Sequence, residues 1–310
     1  MRRFSAMLAA VSLFILSGGA SRARDGEALR VCLNEQAPPY SVRHNGEGAG
    51  FDLAVAEALA KQLGRPLEVQ WFETRLEDDV SGTLDANALL SDGRCQLLAG
   101  YPLTEDGLGK PGAESARLPD FDGLKPADRR RRIVLGTLQP SKPYHYAALT
   151  IVLGRDAPDK PVNGIGDIDG LRIGVEGGTL SDTILMTFGE GRLIDHIAHF
   201  VPGRDDFWSS FERGDFDAAL IPVHQFDAYR ANYPDTKLRA TGYVYPVGFN
   251  IGFVRLAGDS RLMSEVDAAL ASLLARGEIA GLAASAGMTY LPPRQPAVRK
   301  HFLLSDLKGP

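Results

Sequence analysis

The stretch "FDLAVAEALAKQLG", residues 51–64, decides the fold. Phe51, Val55, Leu59 and Leu63 recur every fourth residue, Ala54 and Ala58 lie beside them, and Gly64 closes the run. Apolar side chains at that spacing share one face of an α-helix, and a terminal glycine accepts the left-handed backbone that stops it. Upstream, "LRVCLN" (29–34) is a short β-type run ending in the turn-rich "EQAPPYS" and the glycine-rich "HNGEGAG". Downstream, "PLEVQWF" (66–72) reads as a second strand. A helical pattern carrying Leu76, Val80, Leu84 and Ala88 then leads to Gly93, and "CQLLAG" (95–100) is a third strand. Strand, helix, strand, helix, strand predicts an α/β fold with a parallel sheet and right-handed crossovers.

Periodicity stops between Tyr101 and about Ser141, a Gly-, Pro- and Asp-rich segment containing "ADRRRR" (127–132). A structureless loop of that length in a compact domain is either functional or mobile. Order resumes with the β-type run "PYHYAALTIVLGRD" (143–156), and a second α/β series follows. "LRIGVEGG", "IDHIAHFV" and "FDAALIP" are its strands, and "LSDTILMTF", "RDDFWSSFERG" and "HQFDAYRANYP" its helices. The long β-type stretch "LRATGYVYPVGFNIGFVR" precedes one closing helix, 261–287, with Leu262, Val266, Leu270 and Leu273 on one face. The Pro-rich end from Leu291 reads as a tail. Two α/β series joined by long β segments predict two lobes, with function in the loops beyond the strand ends and in the cleft between lobes.

The N-terminus stands outside this plan. Arg2 and Arg3 precede the apolar run from Ala6 to Leu16 and the small residues "SGGASRA". A positive start, a short apolar core and a small-residue exit describe a secretory signal peptide over residues 1–23, cleaved after Ala20 or Ala23. The run is shorter than the roughly 20 residues a spanning helix needs. The expected location is the periplasm. The chain of 310 residues is 44% hydrophobic and 24% charged, with a formal net charge of −5. That balance lacks the basic excess of a nucleic-acid binder.

Cys32 and Cys95 stand 63 positions apart. In an oxidising compartment two cysteines favour a disulfide over free thiols, which would tie the first strand to the third. A metal pair lacks nearby ligand partners, and a catalytic thiol lacks a marked activating base. No nucleophile with its base and no metal-ligand spacing is legible, so neither an enzyme nor a cofactor is expected.

In order, "LRVCLNEQAPPYS", "GFDLAVAEALAKQLG", "GRCQLLAG", "PYHYAALTIVLGRD", "DGLRIGVEGGTLSD" and "RGDFDAALIP" resemble the blocks of bacterial extracellular solute-binding proteins of family 3, over about Leu29 to Met288. These periplasmic components commonly serve amino-acid ABC transporters. The resemblance implies the bilobed type II periplasmic binding fold. Lobe one would comprise residues 28–146 plus 249–290, lobe two residues 147–248, and 291–310 a C-terminal tail. It also implies a monomer that binds a small-molecule ligand and works with an ABC permease.

Amino-acid binders of that family follow the third strand with a threonine and then an arginine that grips the ligand carboxylate; Pro102 and Gly107 stand there in this chain. Those binders hold the ammonium with an aspartate after the "DA" strand, where this chain has Pro222. Both charged grips are missing, so a standard α-amino acid is not the expected ligand. "LRVCLN", "VQWFETR", "GRCQLLAGYP" and "GMTYLPP" look like the narrower subgroup associated with quinoprotein (PQQ-dependent) alcohol dehydrogenases, which implies a periplasmic quinoprotein dehydrogenase as the alternative partner.

The candidate ligand residues are Tyr40, Trp71, Tyr101, Thr179, Ser181 and His224. Tyr40 is the family's aromatic cleft position, and Tyr101 directly follows the third strand. Trp71 and Phe72 have a core role as the alternative. Thr179 and Ser181 open a helix where a hydroxyl and free N–H groups can hold an anion, or where they simply cap it. His224 offers a donor or acceptor in the second lobe, its alternative being a surface histidine opening a helix. Arg129 to Arg132 are either a solvated cluster or a dock for an acidic partner, with one arginine standing in for the lost clamp.

Overall fold

The computed structural model describes residues 27–74, 81–109, 115–202, 205–258, 260–301 and 307. The predicted signal peptide, and Leu76 and Val80 of the predicted second helix, lie outside them.

Strand β1 (Leu29–Asn34) is followed by helix α1 (Phe51–Leu63), β2 (Leu67–Glu73), α2 (Ser81–Ser91) and β3 (Leu97–Pro102). β1 runs parallel to both β2 and β3, with Leu29 opposite Leu67 and Val31 opposite Leu97. That is the arrangement the strand–helix alternation predicts. α1 stops at Gly64 in the left-handed conformation, φ 64°, as the glycine implies. Its buried stripe is Phe51, Val55 and Leu59 with Ala56 and Ala60. Ala58 packs half-buried against the same cluster, while the fully buried alanines are Ala56 and Ala60, because a true 3.6-residue turn drifts away from a strict four-residue repeat.

The second series gives β4 (His145–Leu153), β5 (Ile173–Glu176), α3 (Leu180–Thr187), β6 (Ile197–Phe200), α4 (Phe207–Arg213), β7 (Ala218–Pro222), α5 (Val223–Asn232) and β8 (Arg239–Leu256). β4 and β8 are the structural axis. β8 pairs antiparallel with β3 through Ile251–Val254, and with β4 from His145↔Ile251 to Leu153↔Arg239. One ten-stranded mixed sheet results, in the order β6-β5-β7-β4-β8-β3-β1-β2 and then the two-residue strand Asp120–Phe121. The remaining member, Leu138–Pro140, pairs with β8 beside this path. Four apolar clusters cover its faces. Two of them, centred on Phe51 and Phe253 and on Leu89 and Tyr101, belong to the first series. The other two, centred on Ile151 and Ile173 and on Phe211 and Phe216, belong to the second.

The chain departs from the sequence reading in three places. First, the described residues of 103–140 are not structureless. They carry a one-turn helix (Glu105–Leu108) and the short strands Ser115–Arg117, Asp120–Phe121, Arg132–Val134 and Leu138–Pro140. Leu118, Phe121, Ile133 and Leu135 are buried against the disulfide side of the sheet. Strands of two or three residues are too short to produce a periodic pattern. Here Arg131 pairs with Asp92 at 2.6 Å, Arg129 with Asp120 at 3.4 Å, and Arg132 donates to Ser115. Three of the four clustered arginines thus hold their own segment in place.

Second, the closing helix is two helices, α6 (Ser260–Ala275) and α7 (Glu278–Ser285), bent by 79°. Gly277 at φ 70° makes the break, a conformation that costs an ordinary residue about 1 kcal/mol or more. Among the described residues no single helix is long and apolar enough to cross a membrane.

Third, the segment after Leu291 is strapped across the β4–β8 crossing. Tyr146 N–H donates to the Leu291 carbonyl at 2.9 Å. The buried Asn250 amide donates to the carbonyls of Arg294, Pro296 and Ala297 at 2.7, 3.1 and 3.0 Å, and accepts from Arg294 N–H at 2.9 Å. Arg294 lies over the Tyr146 ring, and Arg299 pairs its backbone with Leu103 and Glu105. Farther on, Leu307 is buried in the Ile151–Ile173 cluster, where its carbonyl accepts from the Tyr245 hydroxyl at 2.8 Å.

Candidate functional site

Tyr40 is fixed by the start of α1. The first N–H groups of a helix have no internal partner, and here the Pro39 and Tyr40 carbonyls accept from Phe51 and Asp52 N–H at 3.0 and 2.7 Å. Gly50, φ 115°, lies so close under those carbonyls that a Cβ would collide with them. The tyrosine ring therefore projects from a braced turn. It meets His224 from α5 at 4.9 Å between ring centroids and His145 from the start of β4 at 5.9 Å. His145 in turn meets Phe51 at 5.6 Å and Tyr290 at 5.9 Å. Five segments, drawn from both α/β series and from the chain after the last helix, deliver one cluster of rings.

Two polar atoms in this cluster are sealed without a hydrogen-bond partner: the Tyr40 hydroxyl and Nδ1 of His145. Leaving a buried donor or acceptor unpaired costs about 1–3 kcal/mol, so such atoms mark a place where a partner belongs. Burial pushes the Tyr40 phenol far above its ordinary range, helped by the nearby carboxylates of Asp52 and Asp227. Burial also holds His145 down to about 4, with a further contribution from His224, and lowers His224 to about 4. At neutral pH the cluster is uncharged.

Behind it, Tyr144 donates to Asp52 Oδ1 at 2.7 Å and accepts from Gly100 N–H at 2.8 Å. Asp52 is fully enclosed, and desolvation raises it to about 7 despite the Tyr144 hydrogen bond. Asp227, one turn along α5 from His224, accepts from Thr289 N–H and Oγ1 at 2.7 and 2.9 Å and from Arg230 at 3.3 Å. Both carboxyl groups near the rings already have partners within the fold.

Of the six sequence candidates, the structure brings Tyr40 and His224 together. Tyr101 instead points into the core on the disulfide side, where its hydroxyl donates to the Gly107 carbonyl at 2.5 Å. Trp71 is 8% exposed, packed in the core beneath Gly48. Thr179 caps α3, accepting from Asp182 N–H and donating to the Glu176 carbonyl. The neighbouring Gly178 N–H is taken by the Asp182 carboxylate, which also holds His199 at 2.9 Å. Ser181 is buried in the first turn of α3. Neither shares a ring contact or hydrogen bond with the Tyr40 cluster among the described residues. His145 and Tyr290 were missed. "PYHY" and "MTYLPP" carry no motif for a site, and only the crossing strands and the strap bring them together.

Cys32 and Cys95 are joined in a disulfide, as expected from the sequence. At the loop after β3, a Cβ added to Gly107 would lie 3.1 and 3.2 Å from the Thr104 and Tyr101 hydroxyls, which leaves little room for a side chain. The loop's backbone is held by Arg299 of the strap. Among the described residues no group of three or more His, Cys, Asp or Glu is placed to hold a metal.

No protein-family model matches the chain. A probable amino-acid-binding protein, YxeM of Bacillus subtilis, is 31% identical over 77 residues, covering 24% of this chain and 29% of that protein. The match thus spans less than a third of the curated relative. Solved structures cover far more. The L-cystine solute receptor of Neisseria gonorrhoeae, in its unliganded open conformation, aligns with 86% of this chain and 96% of its own, at a TM-score of 0.59 and 19% identity. The second substrate-binding domain of a putative amino-acid ABC transporter from Streptococcus pneumoniae aligns with 84% and 100%, at 0.57 and 17%. A histidine kinase sensor domain with similarity to periplasmic binding proteins aligns with 87% and 99%, at 0.52 and 19%. The first two and the curated relative are binding proteins, not enzymes, and the resemblance to the quinoprotein-associated subgroup draws no support from them. At these identities the likeness establishes architecture: the chain has the bilobed α/β fold of the periplasmic binding proteins.

Proposed function

We propose that the chain is an exported solute-binding protein that closes lobe one (28–146 plus 249–290) and lobe two (147–248) on a small polar ligand other than a standard α-amino acid. Delivery would be to an ABC permease. The observation that carries the reading is the meeting of Tyr40 from the first series with His224 from the second, over a buried Tyr40 hydroxyl that has no partner. A cleft lined by rings from both sides, with few polar atoms awaiting partners, is the usual make-up of a small-molecule site. Against an amino acid stand Pro102, Gly107 and Pro222 where the resembled family places its grips, together with carboxylates already engaged inside the fold. A buried unpaired ammonium or carboxylate would bind poorly.

The reading is tested by thermal shift against organic acids, amines, sugars, heteroaromatics and amino acids, followed by small-angle scattering on any hit. A ligand at one hundred times its Kd stabilises the folded state by about 2.7 kcal/mol and should contract the scattering envelope. Stabilisation by none of them, or binding without contraction, would remove the reading.

A further inference from the structure

We propose a second binding site, for a small, weakly hydrated organic cation, in the groove between α4 and α5. It is separate from the Tyr40–His224 cluster and does not depend on what that cluster binds.

Two short helices build the groove. α4 carries Trp208 and Glu212 four residues apart, which puts both on one face. α5 sends His224 toward Tyr40 but Tyr229 toward Trp208. Trp208 and Tyr229 stack at 4.1 Å with 9° between their planes, and Tyr233, just past the end of α5, leans on Tyr229 at 4.7 Å. The turn through Asp235 and Thr236 completes the lining. The volume is about 810 Å³, within the roughly 300–1,000 Å³ of small-molecule sites. Tyr233 keeps 58% of its surface open, so its ring is available to a ligand as well as to Tyr229.

Charge selects the ligand. Asp206, Glu212 and Asp235 line the groove, and Arg213 is the one basic residue among the described lining. Arg213 is already taken, by Asp215 at 2.7 Å and the Ser210 hydroxyl at 2.8 Å. Asp206 caps α4, accepting from Ser209 N–H at 3.0 Å. Glu212 accepts from the Tyr229 hydroxyl at 3.1 Å and from the Thr236 hydroxyl, both on Oε1, so its Oε2 has no partner among the described residues. Asp235 has none there either. An anion would meet three carboxylates and no free cation. A neutral molecule would use the rings and leave the free carboxylate oxygens idle. A compact, strongly hydrated ion such as sodium would gain little from ring faces. Guanidinium and alkylated ammonium groups shed water readily, and the negative face of an aromatic ring attracts them as a carboxylate does.

The experiment is a fluorescence titration of the purified chain at pH 7. The chain has two tryptophans, and Trp71 is buried in the core of the first series, so Trp208 reports on the groove. Tetramethylammonium and agmatine should change the emission saturably. Tert-butanol, a neutral counterpart of similar bulk, and acetate should not. Tyr233 is exposed, so Tyr233→Leu removes a wall and spares the core; it should weaken both cations about fivefold. Asp235→Asn should weaken them about two- to fivefold, and carries the test if the first variant does not fold. No saturable response to either cation, an equal response to tert-butanol, or undiminished affinity in both variants overturns the inference. None of these outcomes touches the solute-binding reading, which is decided by its own ligand panel and by contraction in scattering.

Discussion

Replacing Asp52 by asparagine should make this protein more stable, and increasingly so as pH rises. An aspartate ordinarily ionises near 3.8, and enclosure of Asp52 moves it to about 7. Each factor of ten in acidity is about 1.4 kcal/mol, so keeping Asp52 ionised in the fold at neutral pH costs about 4 kcal/mol at most. The sign follows from proton counts. Above pH 3.8 the unfolded chain has released this proton while the folded chain holds it until about 7. The folded state binds more protons, so its stability falls as pH rises through that window and levels off above it. Asparagine keeps an amide oxygen where Oδ1 accepts from Tyr144 and has nothing to ionise. The advantage of Asp52→Asn over wild type should grow by about 2–3 kcal/mol between pH 5 and pH 8. His145 and His224 act with the opposite sign. Each stays neutral in the fold down to about 4, so each costs stability as pH falls below about 6.5. They are present in both proteins and cancel in the difference. Urea denaturation at pH 5, 6, 7 and 8 measures it. A gap that stays constant or shrinks with pH would show that Asp52 ionises like an exposed carboxylate, and the reasoning would fail.

Three further outcomes are expected. Replacing Cys32 and Cys95 together by alanine opens a loop of 63 residues; the chain-entropy argument gives a loss of about 4 kcal/mol, and denaturation with and without reductant should show it in wild type only. A loss under about 1 kcal/mol would contradict that argument. Asn250→Ala strands the strap carbonyls that its amide serves, for a loss of about 2–3 kcal/mol, with faster tryptic cleavage at Arg294 and Arg299; unchanged cleavage would mean the strap is held elsewhere. Gly100→Ala forces φ +72° on an ordinary residue and drives its Cβ into the Asp52 carboxyl, a loss of about 2–4 kcal/mol visible as a lowered Tm.

By itself the sequence determined the local elements and their alternation. The apolar spacing of residues 51–63 and the stop at Gly64 made α1 legible, since a helix writes its buried face at a fixed period. The runs flanking it paired in the expected parallel order, because short crossovers leave few other ways to connect them. The disulfide was legible too, from two cysteines in a chain whose first residues read as a signal peptide.

What only the tertiary structure decided is everything that depends on residues far apart in sequence. The described parts of the segment from 103 to 140 are ordered because Leu118, Phe121 and Ile133 found a core built by other segments. The apparent tail became a strap because Asn250, more than forty positions away from Arg294, turns its amide toward it. The cluster of Tyr40, His145, His224 and Tyr290 has no spacing that a reader could recognise, since a turn, a strand start, a helix start and the segment after the last helix carry one ring each. Periodicity records which face of an element is buried. It does not record what the chain places against that face, and the chemistry of the proposed cleft is set there.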